Sequence, residues 1–567
     1  MRKILKNIAD KSITAQRYLR WYRSRWGGYP DWQKLIREEK DLWIDSLKKA
    51  ERGPKILIAT STGGFLPGTM LESVLGAALT LRGASAHFLL CDTFLPACQE
   101  CEIYWYPDQQ VFSQKGPQKR LCSDCFSPAY KMFSELNIPV YRYSEFIIEE
   151  EKEDIRRLVK SIPLDKIKEY RKNNIAIGEH AMAGTLRFYA RGLLDNEPCS
   201  EAILRRYFKA SLLTTCIARR LFTKYKFDIA LFHHGIYVPQ GLIGEAARRA
   251  NVRVVNWNVA YRKKCFVFSH GDTYHHTLMS EPVSVWETID WNKEREQSLT
   301  KYLKSRWEGT QDWIWFFEKP TGDIHAVEQE FGIDFSKPVI GMLTNVMWDA
   351  QLHYPVNVFQ NMIEWGVSTI EYFKKRSDLQ LVIRVHPAEI RGTVPSRQRF
   401  LDEINRLLPE IPSNVYIIPP ENRISTYSIM EKCNSVIIYG TKMGVELTST
   451  GIPVIVAGEA WIRNKGLAID AESKDHYFTL LDRLPLKESL SGQDIKRARK
   501  YAHHFFFRRM IPVQSMEPSG SRPPYKVKIS TLRDLLPDCD IGLDTICHGI
   551  LKGTDFVYDA HNLNDDP

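Results

Sequence analysis

The chain has 567 residues, of which 44% are hydrophobic and 26% charged, and its formal net charge is +10. This length predicts two large domains with extensions, each with enough apolar residues for a core. No apolar run approaches the roughly 20 residues of a spanning helix, and the N-terminus lacks the features of a signal peptide. The basic residues are spread along the chain without a nucleic-acid-binding signature, so no nucleic-acid partner is expected. The charge suits a polyanionic acceptor, a nucleotide-activated donor or an anionic membrane surface.

The N-terminal extension, residues 1–50, alternates apolar side chains with Lys and Arg and is predicted to be helical. Two interpretations remain open for it. The segment packs as a helix on the domain behind it, or it lies on an anionic bilayer as an amphipathic helix. We expect a cytoplasmic protein, peripheral on the inner membrane in the second case, with its 11 cysteines mostly reduced.

The first domain, residues 51–275, begins with the buried strand KILIAT at 55–60, a glycine-rich turn at 61–68 and a helix at 69–81. A second strand is predicted at 86–90. Strand, glycine turn and helix together are typical of a mononucleotide-binding beginning. The glycines do not match the dinucleotide fingerprint and the turn has no Walker lysine, so no redox cofactor is expected. A tight turn without a ligand explains the same residues.

Two cysteine pairs in this domain form the strongest chemical motif of the chain. Cys98 and Cys101 make one C-x-x-C pair, and Cys122 and Cys125 make a second. Two such pairs at this separation predict tetrahedral coordination of a structural Zn²⁺ by four thiolates, in an insertion spanning 98–125. A four-cysteine site has no open position for water, so no catalysis is assigned to it.

Two places in the first domain supply candidate catalytic bases. Glu179 and His180 lie in a mostly helical region, and His233 and His234 end a strand predicted at 228–234. Imidazole titrates near neutrality, which suits a general base. The alternatives are a charged helix face for the first pair and a hydrogen-bonded structural histidine for the second.

Residues 276–335 are predicted to be connecting helices, and residues 491–567 C-terminal helices and a tail. Between them, the second domain at 336–490 alternates short apolar runs with helical or turn-rich segments, which predicts a parallel sheet covered by helices. Its strands are predicted at 338–343, 381–385, 415–418, 436–439 and 453–457. Polar or glycine-rich residues follow each strand, and ligands of open α/β sheets bind beyond these ends. The loops are therefore expected to converge on one crevice.

The second domain resembles a known family. The matching pieces are TNVMWDA, RVHPAE and YGTKMGVELTSTGIPVIVAGEAWIRNKG, with KYAHHFFFRRMIP and LDTICHGI in the tail. They are similar to the bacterial capsule polysaccharide biosynthesis family, which includes the Kdo transferases of capsule export systems. The resemblance covers about residues 336–555. It implies an α/β protein of the GT-B glycosyltransferase class, with two Rossmann-like domains facing across a cleft. The zinc-knuckle insertion departs from the Kdo transferases.

The resemblance also implies a donor site at the strand ends. A histidine held by the following proline can place an N–H on a donor phosphate, and a loop that passes into a helix can hold the same phosphate. Lys442 either neutralises phosphate or is solvated, and Glu446 resembles the acidic residue that grips the donor ribose in many GT-B enzymes. The expected donor-binding residues are Asn345, His386, Pro387, Thr441, Lys442, Gly444 and Glu446.

The function implied is that of an inverting glycosyltransferase for capsule or other surface polysaccharide, independent of metal in catalysis. Its His-Pro pair is similar to that of CMP-sugar-using sialyltransferases and CDP-glycerol polymerases, which favours a cytidine nucleotide. Expected partners are a nucleotide-sugar donor, a glycan or lipid-linked glycan acceptor, and the inner-membrane surface or the polysaccharide export machinery. Two alternatives stay open: a nucleotide-sugar 2-epimerase, and a non-catalytic nucleotide- or glycan-binding scaffold of a polysaccharide assembly complex.

Overall fold

A computed structural model describes residues 29–308, 312, 316–317, 320–349, 351–518 and 525–558. Most of the predicted N-terminal helical extension, residues 1–28, lies outside these residues. The chain divides into two compact units. Unit 1 takes the described parts of Met1–Tyr189, Leu194–Tyr274 and Arg509–Pro567, and unit 2 takes Ala190–Leu193 and His275–Arg508. No helix in the described ranges is long and apolar enough to cross a membrane.

Unit 1 is built on a sheet that is parallel except at one edge. Its strands are β1 (Lys55–Ser61), β2 (Ser85–Leu90), β3 (Val140–Arg142), β4 (Ile229–His233), β5 (Arg253–Val259) and β6 (Cys265–His270). The order is β6-β5-β4-β1-β2-β3, and only the β5–β6 pair among these is antiparallel. The central strands are buried along nearly their whole length, as expected for a parallel sheet covered on both faces. The predicted alternation of strands and helices is confirmed here.

The helices of unit 1 cover this sheet. Up to residue 249 they are Trp32–Glu38, Lys40–Ala50, Leu66–Leu81, Gln109–Lys115, Lys119–Ser134, Glu149–Ser161, Leu164–Ile167, Ile177–Tyr189, Ser200–Tyr225 and Gln240–Arg249, with a 3-10 turn at Tyr143–Phe146. The helix after the glycine turn starts at Leu66, three residues before the predicted start, because Pro67 fits the first turn of a helix. Its residues from Pro67 to Leu81 are all buried, so it forms the centre of the unit.

Unit 2 is built on a wholly parallel sheet. Its strands are β7 (Val339–Leu343), β8 (Gln380–Arg384), β9 (Val415–Ile418), β10 (Ser435–Ile438), β11 (Val454–Val456) and β12 (Ile469–Asp470). The order is β12-β11-β10-β7-β8-β9. The five predicted strands of this domain are all present, and each strand end lies within one residue of its predicted position. The short edge strand β12 was not predicted, because two residues carry no periodic pattern.

The helices of unit 2 lie before, between and after its strands along the chain. They are Tyr274–Ser280, which begins at the unit boundary, and Ser284–Glu287, Lys293–Glu308, Ile324–Phe331, Met362–Phe373, Ala388–Arg391, Phe400–Leu407, Thr426–Met430, Met443–Ser449, Lys474–Asp482 and Gly492–His503, with a 3-10 turn at Gln351–His353. The last helix continues as a π-helix over His504–Arg508.

The C-terminal segment returns to unit 1. Strand β13 (Ile511–Pro512) pairs antiparallel with β6, and β14 (Met516–Pro518) pairs with β15 (Tyr525–Val527). The turn Leu532–Leu535 and the helix Ile541–Lys552 complete the unit. These boundaries differ from the predicted ones: residues 276–335 and the helix ending at 508 belong to unit 2, and only the residues from Arg509 onward leave it. The sequence carries no periodic pattern for β13, because this strand pairs with β6 through only two residues.

Candidate functional site

The loops that follow three strands of unit 2 are hydrogen-bonded to one another. The backbone N–H of His386, after β8, donates to Thr344 Oγ1, after β7, at 3.0 Å. Asn345 Nδ2 donates to the carbonyl oxygen of Gly440, after β10, at 2.6 Å, and Asn345 Oδ1 accepts the Val346 N–H. The amide of Asn345 therefore joins two loops and has little left to offer a ligand. Its role in this arrangement is to hold the strand ends together.

His386 presents one ring nitrogen away from the protein. Its Nδ1 accepts the backbone N–H of Ala388 at 3.0 Å, so the ring proton is assigned to Nε2. Burial, and then the nearby charges of Lys442 and Arg384, lower the pKa of His386 from 6.5 to about 3. The imidazole is therefore neutral at physiological pH and offers an Nε2–H donor. Pro387 is the cap residue of the short helix Ala388–Arg391 that positions this ring.

Lys442 and Glu446 belong to a buried ionic cluster. Lys442 Nζ donates to Glu446 Oε1 at 2.8 Å, and Arg306 Nε donates to Glu446 Oε2 at 3.1 Å. Tyr427 Oη also donates to Oε2, and Arg306 reaches Asp312 as well. Burial lowers the pKa of Lys442 to about 8, while Arg306 and Lys442 hold the pKa of Glu446 down at about 2 in spite of its burial. Glu446 is thus ionised, and protein donors occupy both of its oxygens.

This cluster bears on one predicted donor-binding residue. Glu446 was expected to grip a ribose, but a ribose hydroxyl would have to displace Lys442, Arg306 or Tyr427 from its carboxylate. The expected role of the Gly444 backbone N–H toward the phosphate stays a prediction. A side chain at Gly444 would meet Ile438 at 2.8 Å and Ile462 at 2.9 Å, so the glycine also allows the helix to pack closely on the sheet. Thr441 remains at the loop, where its Oγ1 accepts the Met443 N–H at 3.4 Å.

Two arginines near this site were missed by sequence reasoning. Arg306 comes from the helix Lys293–Glu308, far from the motif in sequence, and only the fold brings it to Glu446. Arg384 ends β8, is 2% exposed, and donates to the carbonyl oxygens of Pro419 and Asn422, which fixes the loop after β9. A charged residue at the end of an apolar strand was the available signal for Arg384.

In unit 1, His233 ends β4 with one ring nitrogen hydrogen-bonded and the other without a partner among the described residues. Its Nε2–H donates to Asn258 Oδ1 at 3.0 Å, and the same oxygen accepts the Val259 N–H, which fixes the orientation of the amide. Nδ1 therefore carries the lone pair. This atom is buried and has no hydrogen-bond partner in the described part of the chain. Burial, and then His234, hold the pKa of His233 well below its usual range, so the ring is neutral.

A buried carboxyl group supports the wall of this site. The His233 ring lies 4.5 Å from Phe65 and 4.8 Å from Trp257, measured between ring centroids. Trp257 Nε1 donates to Glu72 Oε1 at 3.1 Å, and Thr60 Oγ1 donates to the same oxygen while accepting the His233 backbone N–H. Burial raises the pKa of Glu72 to about 8, so this carboxyl is protonated at neutral pH. The helix pattern alone gave no reason to separate Glu72 from a surface glutamate.

The other three candidate bases are placed less favourably. His180 Nδ1 faces the Ile236 carbonyl oxygen at 2.5 Å and its Nε2 faces Glu245 Oε1 at 2.9 Å, so protein oxygens occupy both ring nitrogens. Glu179 faces Arg171 at 3.7 Å, and burial raises its pKa. His234 has a φ of 65° in the left-handed region, a strained conformation often found at functional sites. Burial and Arg187 lower the pKa of His234 to about 4.

The four cysteines of the predicted zinc site lie in two elements of unit 1. Cys98 and Cys101 are in the loop after β2, where Tyr207 Oη bonds both of their carbonyl oxygens, and Cys122 and Cys125 are in the helix Lys119–Ser134. Among the described residues, which include all four cysteines, no three His, Cys, Asp or Glu side chains are grouped so as to hold a metal ion. Zinc coordination by the four cysteines stays a prediction.

No family model matches the chain, and no curated protein matches it. Among solved structures it is similar to the β-Kdo 2,4 transferase of Thermosulfurimonas dismutans KpsC, with 11% identity, 48% of this chain and 80% of the other covered, and a TM-score of 0.34. The 2,7 transferase of the same KpsC matches at 13% identity, with 50% and 79% covered and a TM-score of 0.30.

A second group of similar structures contains epimerases. The UDP-GlcNAc 2-epimerase of Neisseria meningitidis, bound to UDP-GlcNAc, matches at 14% identity, with 78% of this chain and 94% of the other covered and a TM-score of 0.21. The family suggested by the sequence motifs, the capsule Kdo transferases, is thus among the structural neighbours.

Proposed function

We propose that the chain is a glycosyltransferase that binds a nucleotide-activated sugar at the strand ends of unit 2. The observation that carries this proposal is the set of bonded loops that presents His386 Nε2–H close to Lys442. A neutral N–H donor beside a lysine suits the phosphate oxygens of a nucleotide, because charge-assisted hydrogen bonds to phosphate are strong. Thr441 Oγ1, which accepts from the Met443 N–H, has its own O–H to donate.

We assign the acceptor to unit 1 and infer that His233 is the catalytic base there, its Nδ1 taking the proton of an acceptor hydroxyl. In an inverting transfer the hydroxyl oxygen attacks the anomeric carbon as the bond to the nucleotide phosphate breaks. In unit 2, His386 and Lys442 would stabilise the phosphate oxygen of a departing nucleotide. Asn258 Oδ1 stabilises the imidazolium that forms, because it already accepts the Nε2–H. This direct displacement inverts the configuration of the sugar.

The narrower features of this proposal rest on the sequence motifs. They are a CMP-linked donor, a glycan or lipid-linked glycan acceptor in capsule or other surface polysaccharide biosynthesis, an arrangement of the GT-B class, and a peripheral location on the inner membrane. A structural zinc bound by Cys98, Cys101, Cys122 and Cys125 belongs to the same group.

A thermal-shift screen against CMP, CDP, UDP and GDP tests the donor site, since a ligand that binds only the folded state raises its stability. His386→Asn keeps an acceptor for the Ala388 N–H but lacks Nε2, and His386→Ala lacks both. His325→Ala is the matched control, because His325 is exposed on the helix Ile324–Phe331 of the same unit. We expect stabilisation by one nucleotide, kept in the control and lost in both His386 variants. An unchanged shift in those variants would refute the phosphate assignment.

The open alternatives correspond to other outcomes of turnover assays with the nucleotide selected by the screen. Incubation of the nucleotide-sugar without acceptor that yields an epimer or a free glycal would assign the chain to the 2-epimerases. Nucleotide binding without consumption of any donor, with a range of glycan acceptors, would assign it to the non-catalytic scaffolds.

A further inference from the structure

A lysine without an acidic partner lies on the long helix Ser200–Tyr225 of unit 1. Lys209 is half-buried, and it makes no hydrogen bond or ion pair with any residue that the structure describes. The residues three and four positions away from it along the helix are Arg205, Arg206, Leu212 and Leu213. Side chains at these spacings are neighbours on a helix surface, so the adjacent turns supply no carboxylate to Lys209.

The helix Glu149–Ser161 packs antiparallel against this long helix. Arg205 donates to the Val159 carbonyl oxygen at 2.7 Å, near the end of the shorter helix, and Arg219 donates to Glu151 Oε1 at 3.1 Å, near its start. Residue numbers therefore rise along one helix as they fall along the other. The turn that follows Arg205, which contains the lysine, faces the middle of the shorter helix.

Arg156 occupies the middle of the shorter helix and adds a further guanidinium beside the lysine. Its own partners are Glu149 and Glu153, at 3.1 and 2.6 Å. Burial, and then the charges of Arg156 and Arg206, lower the pKa of Lys209, and no carboxylate of the described residues acts in the opposite direction. The ammonium group is thus placed among like charges, an arrangement that is unfavourable until an anion joins it.

Arg206, on the same helix face as the lysine, has a hydrogen-bond donor that no described residue fills. Its Nη2 donates to the Ser113 carbonyl oxygen at 2.7 Å, and its guanidinium lies against Gly116, where an added Cβ would clash with Nη1. These contacts fix the guanidinium in place. Its Nε is enclosed and has no partner in the described part of the chain. A buried donor without an acceptor costs free energy, and an anion oxygen that accepts from it would remove this cost.

We infer that Lys209 and Arg206, with Arg156 on the neighbouring helix, form a binding site for an anionic group of the phosphate class. Two cations without carboxylate partners suit a dianion, and phosphate oxygens accept strong hydrogen bonds from ammonium and guanidinium groups. Free phosphate and the phosphate headgroup of a lipid present the same oxygens. The site contains no residue of the proposed donor site, so the inference does not rest on the proposed function.

Isothermal titration of the full chain with inorganic phosphate, at an ionic strength held constant with sodium chloride, tests the site. Lys209→Met keeps an apolar stem and removes the ammonium group, and Lys209→Arg keeps the charge. Lys40→Met, exposed on the helix Lys40–Ala50 of the same unit, is the matched control. We expect phosphate to bind Lys209→Met roughly tenfold or more weakly than wild type, as for the loss of a hydrogen bond between charged groups. Its affinity for the other two variants should be that of wild type.

Thermal unfolding gives a second readout that a merely structural lysine would not produce. Removing the ammonium group from among neighbouring guanidinium groups relieves repulsion, so Lys209→Met without phosphate should unfold at a higher temperature than wild type. Phosphate should raise the unfolding temperature of wild type and leave that of Lys209→Met unchanged. A lower unfolding temperature in Lys209→Met, with the same phosphate effect in both proteins, would overturn the inference.

Two further comparisons identify the source of the signal. Flotation with phosphatidylcholine vesicles that contain phosphatidate, but not with pure phosphatidylcholine, assigns the site to a lipid headgroup if binding is lost in Lys209→Met and kept in Lys40→Met. Phosphate binding that is lost in His386→Ala but kept in Lys209→Met comes from the proposed donor site, which contradicts this inference and supports the other proposal. Absence of binding to both probes, or equal binding by wild type and Lys209→Met, also contradicts it.

Discussion

Replacing Glu72 with glutamine should make unit 1 more stable at neutral and alkaline pH. Glu72 is enclosed in the helix Leu66–Leu81, and burial raises its pKa from 4.5 to about 8. A raised carboxyl pKa means that the fold prefers the protonated form. The contribution of Glu72 to stability is therefore fully present below pH 4.5 and is lost as the pH rises toward 8. Glutamine has no proton to lose, and its Oε1 still accepts from Thr60 and Trp257.

The size of this effect follows from the two pKa values. At 1.36 kcal/mol per pH unit, the gap between 4.5 and about 8 corresponds to a total of about 5 kcal/mol. Between pH 5 and pH 7 the same linkage removes roughly 2.5 kcal/mol from the wild type and nothing from the variant. The advantage of Glu72→Gln should grow over this interval and level off above pH 8.

Urea denaturation of wild type and variant at pH 5, 6, 7, 8 and 9 measures this difference, because the change in midpoint at constant slope reports stability. Subtracting the free energy of unfolding of the wild type from that of the variant removes the contributions of all other titrating groups, because both proteins contain them. Glu51→Gln, at an exposed position of unit 1, is the matched control and should give a difference that does not vary with pH. A constant difference for Glu72→Gln would refute the assignment of a neutral buried carboxyl beside Trp257.

Three further outcomes follow from contacts within the units. Arg306→Met leaves Glu446 with a buried, incompletely paired charge and should destabilise unit 2 by about 3–5 kcal/mol in urea denaturation, whereas Lys304→Met, exposed on the same helix, should be nearly neutral. Gly444→Ala should cost about 1–3 kcal/mol by the same measurement, because the added methyl overpacks the helix against two isoleucines. If zinc is bound, metal analysis of the purified chain should give one zinc per molecule and Cys122→Ser should lower it; wild type without zinc, its four thiols open to alkylation, would end that prediction.

The sheets could be predicted because parallel strands leave a strong signal. Runs such as KILIAT and VIIY are buried on both faces, so they read as short continuous apolar segments between helices. The edges of the sheets gave no comparable signal. Strand β13 pairs through only two residues with β6, and its position is fixed by Arg509, which donates to carbonyl oxygens in β6 and in the tail. The pairing of β13 with β6 and the bond from Arg509 to Phe268 join segments more than 200 residues apart, so they have no local pattern.

Some residues of the candidate site could also be predicted from the sequence, because they follow the predicted strands. His386, Thr441 and Lys442 follow strands directly, where ligand-binding loops are expected, and the structure joins these loops through hydrogen bonds. Arg306 and Asn258 were not singled out, because each acts through a side chain from another element. Residue type and position along a strand predict that a polar group is near a site. They do not predict which of its atoms are already bonded.

Hydrogen-bond saturation separates groups that look equivalent in the sequence. His180 and His233 are both buried histidines of unit 1, yet two acceptors surround the first, and the second keeps a lone pair on Nδ1. A saturated buried group stabilises the fold and resists a ligand, because the ligand must first break a bond. An unsaturated one costs stability until a ligand completes it. The lone pair on His233 Nδ1 is an unfilled site of this second kind.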